Sequence, residues 1–188
     1  RQERDTMVST EENFEDLIGC SLGTISSDSI AVVIGCSGGI GAGLLKKLTE
    51  LGHFKQVIGL SRDSNPPMEL TNEESLERAA QTIAQLGDLR VVIDATGFLH
   101  DSEQSPEKTW RQLSAQNLGK SFAVNVIGPA LLMKYFLPKL PRSGKSVFAT
   151  LSARVGSIGD NHLGGWYAYR ASKAALNQIV RTASIELS

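Results

Sequence analysis

Ile30-Ala31-Val32-Val33-Ile34-Gly35-Cys36-Ser37-Gly38-Gly39-Ile40-Gly41 is the stretch on which the reading of this chain turns. Its first five residues are an unbroken apolar run, the pattern of a strand buried on both faces. A glycine-rich turn follows, and beyond it Leu44, Leu45, Leu48 and Leu51 recur at helical spacing, with Gly52 placed to end the helix. A strand feeding a glycine-rich turn and then a helix makes a phosphate cradle. Glycines let the backbone come close to an anion, and the helix N-terminus offers unpaired N–H groups at the positive end of its dipole. Gly35, Ser37, Gly38, Gly39, Ile40 and Gly41 are the candidate cradle residues.

The same alternation continues outward. Gln56 to Leu60 reads as a second buried strand. Thr71-Asn72-Glu73-Glu74 has the form of a capping box, opening a helix with Leu76, Ala79, Ala80 and Ile83 on one face and Gly87 at its close. Leu89 to Ile93 is a third strand, and Trp110 to Leu113 a short helical piece. Phe122 to Leu137 is a long apolar helix bent near Gly128-Pro129, Ser146 to Leu151 a fourth strand, and Tyr169 to Leu187 a last helix striped with Ser172, Leu176, Ile179, Val180, Ala183 and Leu187. Strands alternating with helices predict βαβ units: a three-layer α/β domain over 30–188 with a Rossmann-type, doubly wound parallel sheet. Residues 1–29, rich in Glu, Asp, Ser and Thr, read as a partly irregular N-terminal extension.

Composition excludes several classes. A net charge of -1 over 188 residues gives no basic field for nucleic acid. Cys20 and Cys36 have neither CxxC spacing nor a His cluster, so no metal site and no disulfide framework is expected, and a reducing cytoplasm fits. The longest apolar run, Phe122 to Pro138, is interrupted by Asn125, Pro129 and Lys134, and Arg1 to Asp5 is charged with no apolar core behind it. Neither a membrane span nor a secretory signal is expected.

Ligands of doubly wound sheets bind beyond the carboxyl ends of the strands. The second strand ends in Ser61-Arg62, where a guanidinium suits a ribose 2′-phosphate and a carboxylate would suit free hydroxyls; the alternative is a solvated loop charge. The third ends in Asp94-Ala95-Thr96-Gly97, where Gly97 lets the chain pass close to a ligand. Tyr169 and Lys173 lie one helical turn apart on one face. A phenol titrates near pH 10, so work near neutrality needs a shift of roughly three units, about 4 kcal/mol. A nearby ammonium acts in that direction. In isolation the pair also reads as an ordinary helix pair.

Taken in order, these pieces resemble the short-chain dehydrogenase/reductases, from Ala31 to the end of the chain. The family's TGxxxGxG is similar to Ile34–Gly41 with Ile in place of Thr; its NNAG to Asp94-Ala95-Thr96-Gly97; its helix asparagine to Asn125; and its YxxxK to Tyr169–Lys173. The stretch from Ser152 to Asn177 is most similar to the carbonyl-reductase-like, C-factor-type subgroup. The resemblance implies hydride transfer between a nicotinamide and a carbonyl or alcohol carbon, with NADP(H) preferred to NAD(H) through Arg62. It implies Tyr169 as general acid/base, Lys173 lowering the phenol pKa and holding the nicotinamide ribose, Asn125 anchoring a relay water, and a serine polarising the substrate oxygen. Ser61, Arg62, Glu69, Leu70, Ala95, Thr96 and Gly97 would line the cofactor beside the cradle, with Glu69 and Leu70 at the adenine edge. A small-molecule substrate and a homodimer or homotetramer through the Asn- and Tyr-bearing helices are further implications.

Three departures stand out. Ala153 occupies the usual serine place, leaving Ser152, with Ser157 second, for that role; the gap to Tyr169 is wide, and the loop 159–165, His162 included, accounts for the excess. Asp63 to Pro67 is too short for a parallel crossover of about a dozen residues, so the family's third strand is stunted near Met68-Glu69-Leu70. The chain stops soon after the YxxxK helix, where the family continues with two more strands, a helix and a substrate lid. These departures sustain an alternative: a dinucleotide-binding sensor or signalling protein on the same fold, weak or inactive in catalysis.

Overall fold

A computed structural model describes residues 22–188; most of the extension, Cys20 with it, lies outside the described residues. Four strands, β1 (Ser29–Ile34), β2 (Gln56–Leu60), β3 (Asp88–Asp94) and β4 (Val147–Thr150), form one parallel sheet in the order β2-β1-β3-β4. The helices are α1 (Gly39–Glu50), α2 (Glu73–Ala84), α3 (Ala115–Phe122), α4 (Gly128–Phe136) and α5 (Tyr167–Glu186). β1 is fully buried along its length, as its apolar run predicts. Ile30, Val32 and Ile34 pack with Leu76 and Ile83 of α2 and Leu132 and Phe136 of α4. Ala31 belongs to a second cluster with Phe54, Val91 and Leu48 of α1. Helices therefore cover both faces, and each fully buried Ile, Leu or Phe contributes roughly 1.5–3 kcal/mol. The connections run from β1 outward to β2 and then back across to β3, so the switch-point crevice opens between β1 and β3.

Several elements differ from expectation. β2 is a half-buried edge, with only Leu60 buried, because no strand pairs with its outer side among the described residues. No strand forms near Met68. The chain folds back instead: Met68 N–H donates to Ser61 O at 2.8 Å and Ser64 Oγ–H to Pro66 O at 2.7 Å, while Pro66 and Pro67 have no N–H for a ladder. The cap of α2 is Asn72, whose Oδ1 accepts from Ser75 N–H at 3.1 Å. Thr71, read as the cap, turns its hydroxyl to Glu69. Ile25, assigned to the irregular extension, is buried in the second cluster, and His53 Nε2 lies 2.9 Å from its carbonyl.

The long apolar helix begins at Ala115 rather than Phe122, capped by Ser114. The bend expected near Gly128-Pro129 is a π-turn at Ala123–Ile127, and Pro129 sits in the first turn of α4. The run Ala115–Lys139 is 25 residues, longer than the run read from sequence, and its most apolar 18-residue window has a mean hydropathy of 1.2; by those measures it is long and apolar enough to cross a bilayer. Leu132 and Phe136 on it are nonetheless fully buried against the sheet, which makes it a core helix. α5 starts at Tyr167, and the outer end of its predicted stripe, Val180 and Leu187, is exposed.

Candidate active site

The cradle forms where the strand order reverses. Gly35 has φ +81°, and a Cβ there would stand 3.2 Å from the Ala95 carbonyl, so the turn presses against the end of β3. At Gly41 a Cβ would lie 2.2 Å from Gly35 O. The backbone closure that makes the cradle thus requires glycine at both positions. Gly38 is the N-cap of α1 and supplies no side-chain cap, so the first amides of the helix point onward unpaired by any cap. Ser37, Gly38, Gly39 and Ile40 are exposed. This is the donor set and the open space that a pyrophosphate needs, and the residues present fit a dinucleotide.

The end of β2 lies against the cradle: Gly35 N–H donates to Leu60 O at 2.8 Å. Ser61 and Arg62 follow directly, Ser61 half-buried and Arg62 exposed. Glu69 is exposed, with Oε1 accepting from the Thr71 hydroxyl at 3.2 Å. Leu70 is half-buried and packs over Gly128, where a Cβ would meet its Cγ at 2.5 Å.

Asp94 is fully buried at the end of β3. Its Oδ1 accepts from Thr96 N–H at 2.9 Å and Thr96 Oγ1–H at 2.6 Å, and its Oδ2 from Thr150 Oγ1–H at 2.7 Å. Burial raises the carboxyl pKa above its ordinary 3.8; the Thr96 and Thr150 bonds and the charge of Lys173 oppose that without cancelling it. The sign of the consequence follows. Above the ordinary value the unfolded chain releases this proton while the folded chain still holds it, so stability falls as pH rises from about 3.8 through the raised folded value. Asp94→Asn, of the same shape but uncharged, is expected to flatten that slope and raise Tm at neutral pH. Thermal melts from about pH 4 to about pH 8 check it, and an unchanged slope would assign the effect to other groups.

Gly97 crosses above two side chains: a Cβ there would sit 3.7 Å from both Asn125 Oδ1 and Lys173 Nζ, ordinary contact. Asn125 is fully buried in the π-turn. Its Oδ1 accepts from Phe98 N–H at 2.7 Å, and its Nδ2 donates to Phe98 O at 2.8 Å and Ser172 Oγ at 3.0 Å. One acceptor site of this amide remains. Lys173 is buried and donates to Leu151 O at 2.8 Å, leaving two donors free. Burial lowers its pKa, and Asp94 partly offsets this. Tyr169 is half-buried on the same face of α5, and Lys173 Nζ lies 5.9 Å from its ring centroid. The lowering of the phenol pKa expected from Lys173 is not found. The ammonium turns to Leu151 O, and burial pushes the Tyr169 pKa up.

Neither candidate serine hydrogen-bonds to Tyr169, Lys173 or Asn125. Ser152 Oγ–H donates to Asn177 Oδ1 at 2.6 Å, and Asn177 is two turns along α5 from Tyr169. Ser157 lines a cavity of about 420 Å³ with Tyr167, Arg170, Ala171 and Ala174, the other flank of α5. His162 is exposed on the loop. Among the described residues no group of His, Cys, Asp and Glu is arranged to hold a metal. Sequence reasoning passed over Glu107, Asn177, Trp166 and the partnering of Asp94. Glu107 and Asn177 carry no local pattern, whereas Gly164-Gly165 before Trp166 was a visible sign of an unusual turn.

By its sheet order and the glycine turn at the switch point, the chain has a Rossmann-type fold. The short chain dehydrogenase family profile matches residues 29–188, and the chain belongs to that family of oxidoreductases. L-fucose dehydrogenase of Mus musculus is 28% identical over 177 residues, 86% of this chain and 61% of the relative. The chain thus spans about three-fifths of that relative's length. The C-signal protein of Myxococcus xanthus is 39% identical over 71 residues, 38% of this chain and 43% of that protein. Among solved structures, the NADPH-bound carbonyl reductase from chicken fatty liver is 27% identical with a TM-score of 0.73, covering 89% of this chain and 74% of its own. The putative carbonyl reductase Sniffer of Caenorhabditis elegans is 25% identical with a TM-score of 0.74, covering 87% and 80%.

Proposed function

We propose that this domain carries the cofactor and the acid–base groups of an NADP(H)-dependent carbonyl reductase or alcohol dehydrogenase. The observation that supports this reading is the convergence of Asn125 and Lys173 beneath Gly97, on the face of α5 that bears Tyr169, next to the cradle. A bound nicotinamide supplies the two electrons as a hydride from its C4 to the carbonyl carbon. Tyr169 releases its hydroxyl proton to the carbonyl oxygen as the C=O double bond opens, so an alcohol forms and the phenolate remains. The raised pKa of Tyr169 keeps the phenol protonated for that donation. The two free donors of Lys173 hold the nicotinamide ribose and return a proton to the phenolate, with the remaining acceptor of Asn125 orienting the relay water. Ser152 holds the substrate oxygen once its hydroxyl rotates away from Asn177, a change of one rotamer.

Gly35, Ser37, Gly38, Gly39, Ile40 and Gly41 hold the pyrophosphate. Arg62, with Ser61, meets a 2′-phosphate; Glu69 and Leu70 flank the adenine; Ala95, Thr96 and Gly97 pass beneath the nicotinamide side. A homodimer or homotetramer would form through the Asn125-bearing π-turn with α4 and through α5, where Ile127 of the turn and Val180 and Ile185 of α5 are exposed.

Separate titrations of NADPH and NADH, followed by nicotinamide fluorescence, test this reading. NADPH is expected to bind at least about tenfold tighter, and Arg62→Glu to erase the difference, since a charge-assisted contact is worth roughly 1.5–3 kcal/mol. Tight binding with no turnover of aldehydes, ketones or quinones would point instead to a sensor. Binding of neither cofactor would remove the proposal.

A further inference from the structure

Gly164, Gly165 and Trp166 occupy the left-handed region in succession, with φ of +66°, +67° and +53°. Two glycines do this freely; a tryptophan does not, because its Cβ crowds the carbonyl that follows. The turn is held from two sides. Trp166 N–H donates to Glu107 O at 2.5 Å, and Ala168 N–H to Glu107 Oε2 at 3.2 Å. Glu107 is only 3% exposed, and its Oε1 is buried without a partner. From the other side, Arg170 Nε donates to Gly165 O at 3.0 Å and Nη2 to Gly164 O at 3.2 Å. Strain maintained by so many groups is characteristic of functional sites.

What the turn achieves is the placement of one indole. The Trp166 ring meets the Tyr169 ring edge-on, centroids 6.4 Å apart at 72°, and 41% of the residue stays exposed. We propose that Trp166 is a specificity-determining residue: a rigid aromatic wall beside the Tyr169 phenol that favours carbonyl compounds bearing the carbonyl on a flat aromatic ring over saturated ones of the same size. Glu107 and Arg170 are positioning residues that act through Trp166. The inference rests on the hydride-transfer reading of Tyr169, and its test separates the two.

The chain contains two tryptophans, and Trp110→Phe leaves Trp166 as the only reporter of tryptophan emission. Acetophenone and cyclohexyl methyl ketone, similar in size but flat against puckered, are titrated into this variant with oxidised cofactor present. A saturable emission change is expected with acetophenone at concentrations about tenfold lower than with the saturated ketone, the value of one aromatic contact. In turnover, Trp166→Gly, which also relieves the backbone, is expected to lower the aryl-to-alkyl ratio of kcat/KM about tenfold. Trp166→Tyr is expected to keep it, and Glu107→Ala to lower it through KM for the aryl ketone. No emission change with acetophenone, or a ratio unmoved by Trp166→Gly, overturns the proposal. A saturable emission change favouring acetophenone, with no oxidation of NADPH by either ketone, leaves the wall standing and removes the hydride-transfer reading.

Discussion

Tyr169→Phe is expected to lower kcat for carbonyl reduction by about 10³-fold, near 4 kcal/mol of transition-state stabilisation, while NADPH affinity stays within about twofold. The change deletes one hydroxyl and nothing else. Among the described residues no group hydrogen-bonds that hydroxyl, so no partner is stranded and Tm should not fall. The ring keeps its edge contact with Trp166. A proton donor at this position leaves a clean signature: lost turnover with intact binding and folding. Stopped-flow NADPH oxidation, fluorescence titration and a thermal melt on the same preparation measure the three quantities. If turnover survives the substitution within about tenfold, the proton comes from another group and the assignment of Tyr169 is wrong.

Gly41→Ala is expected to be the most damaging single methyl in the domain. Its Cβ would stand 2.2 Å from Gly35 O and 2.8 Å from Gly35 C, both backbone atoms that cannot swing aside. Relief requires moving α1 away from β1 or opening the turn, at a cost of about 3 kcal/mol, which lowers Tm by roughly 6–12 °C in a chain of this size. The same movement dismantles the cradle, so nucleotide binding should disappear with it. Gly39→Ala is the control. Nothing lies within 4 Å of the added methyl, and the fold should be untouched. Yet Gly39 is an exposed residue of the cradle, and weaker NADPH binding at unchanged Tm would show that the pyrophosphate lies against it. Calorimetry and a thermal melt on each variant separate packing from ligand approach.

Much of the fold was legible because the hydrophobic periods are clean. β1, β2 and β3 fall within a residue of the apolar runs that predict them. The errors arise where local signals compete. Thr71 and Asn72 are both good caps, and only the three-dimensional bond of Thr71 to Glu69 decides between them. The strand near Met68 was expected from resemblance; two prolines and the Ser61–Met68 turn replace it. At the site, the residue types were readable and the hydrogen bonds were not. Spacing puts Lys173 on the face of Tyr169, but the competition between a phenol and the Leu151 carbonyl for its ammonium is settled by β4, far away in sequence. Likewise Ser152 stands close in sequence to the expected serine place while its proton goes to Asn177. Glu107 acts on α5 across some sixty residues of chain, beyond the reach of any local pattern.

The π-turn at Ala123–Ile127 behaves as a one-residue insertion absorbed without a loop. Everything beyond it is rotated by about 100° relative to an unbroken helix. Beyond the turn Leu132 and Phe136 of α4 pack against the sheet, and within it Asn125 reaches Phe98. Deleting one residue there would yield a more regular helix and a worse protein. What natural variation must preserve along this segment is therefore a count of residues as much as their identities, and a sequence alignment free of gaps would hide that constraint entirely.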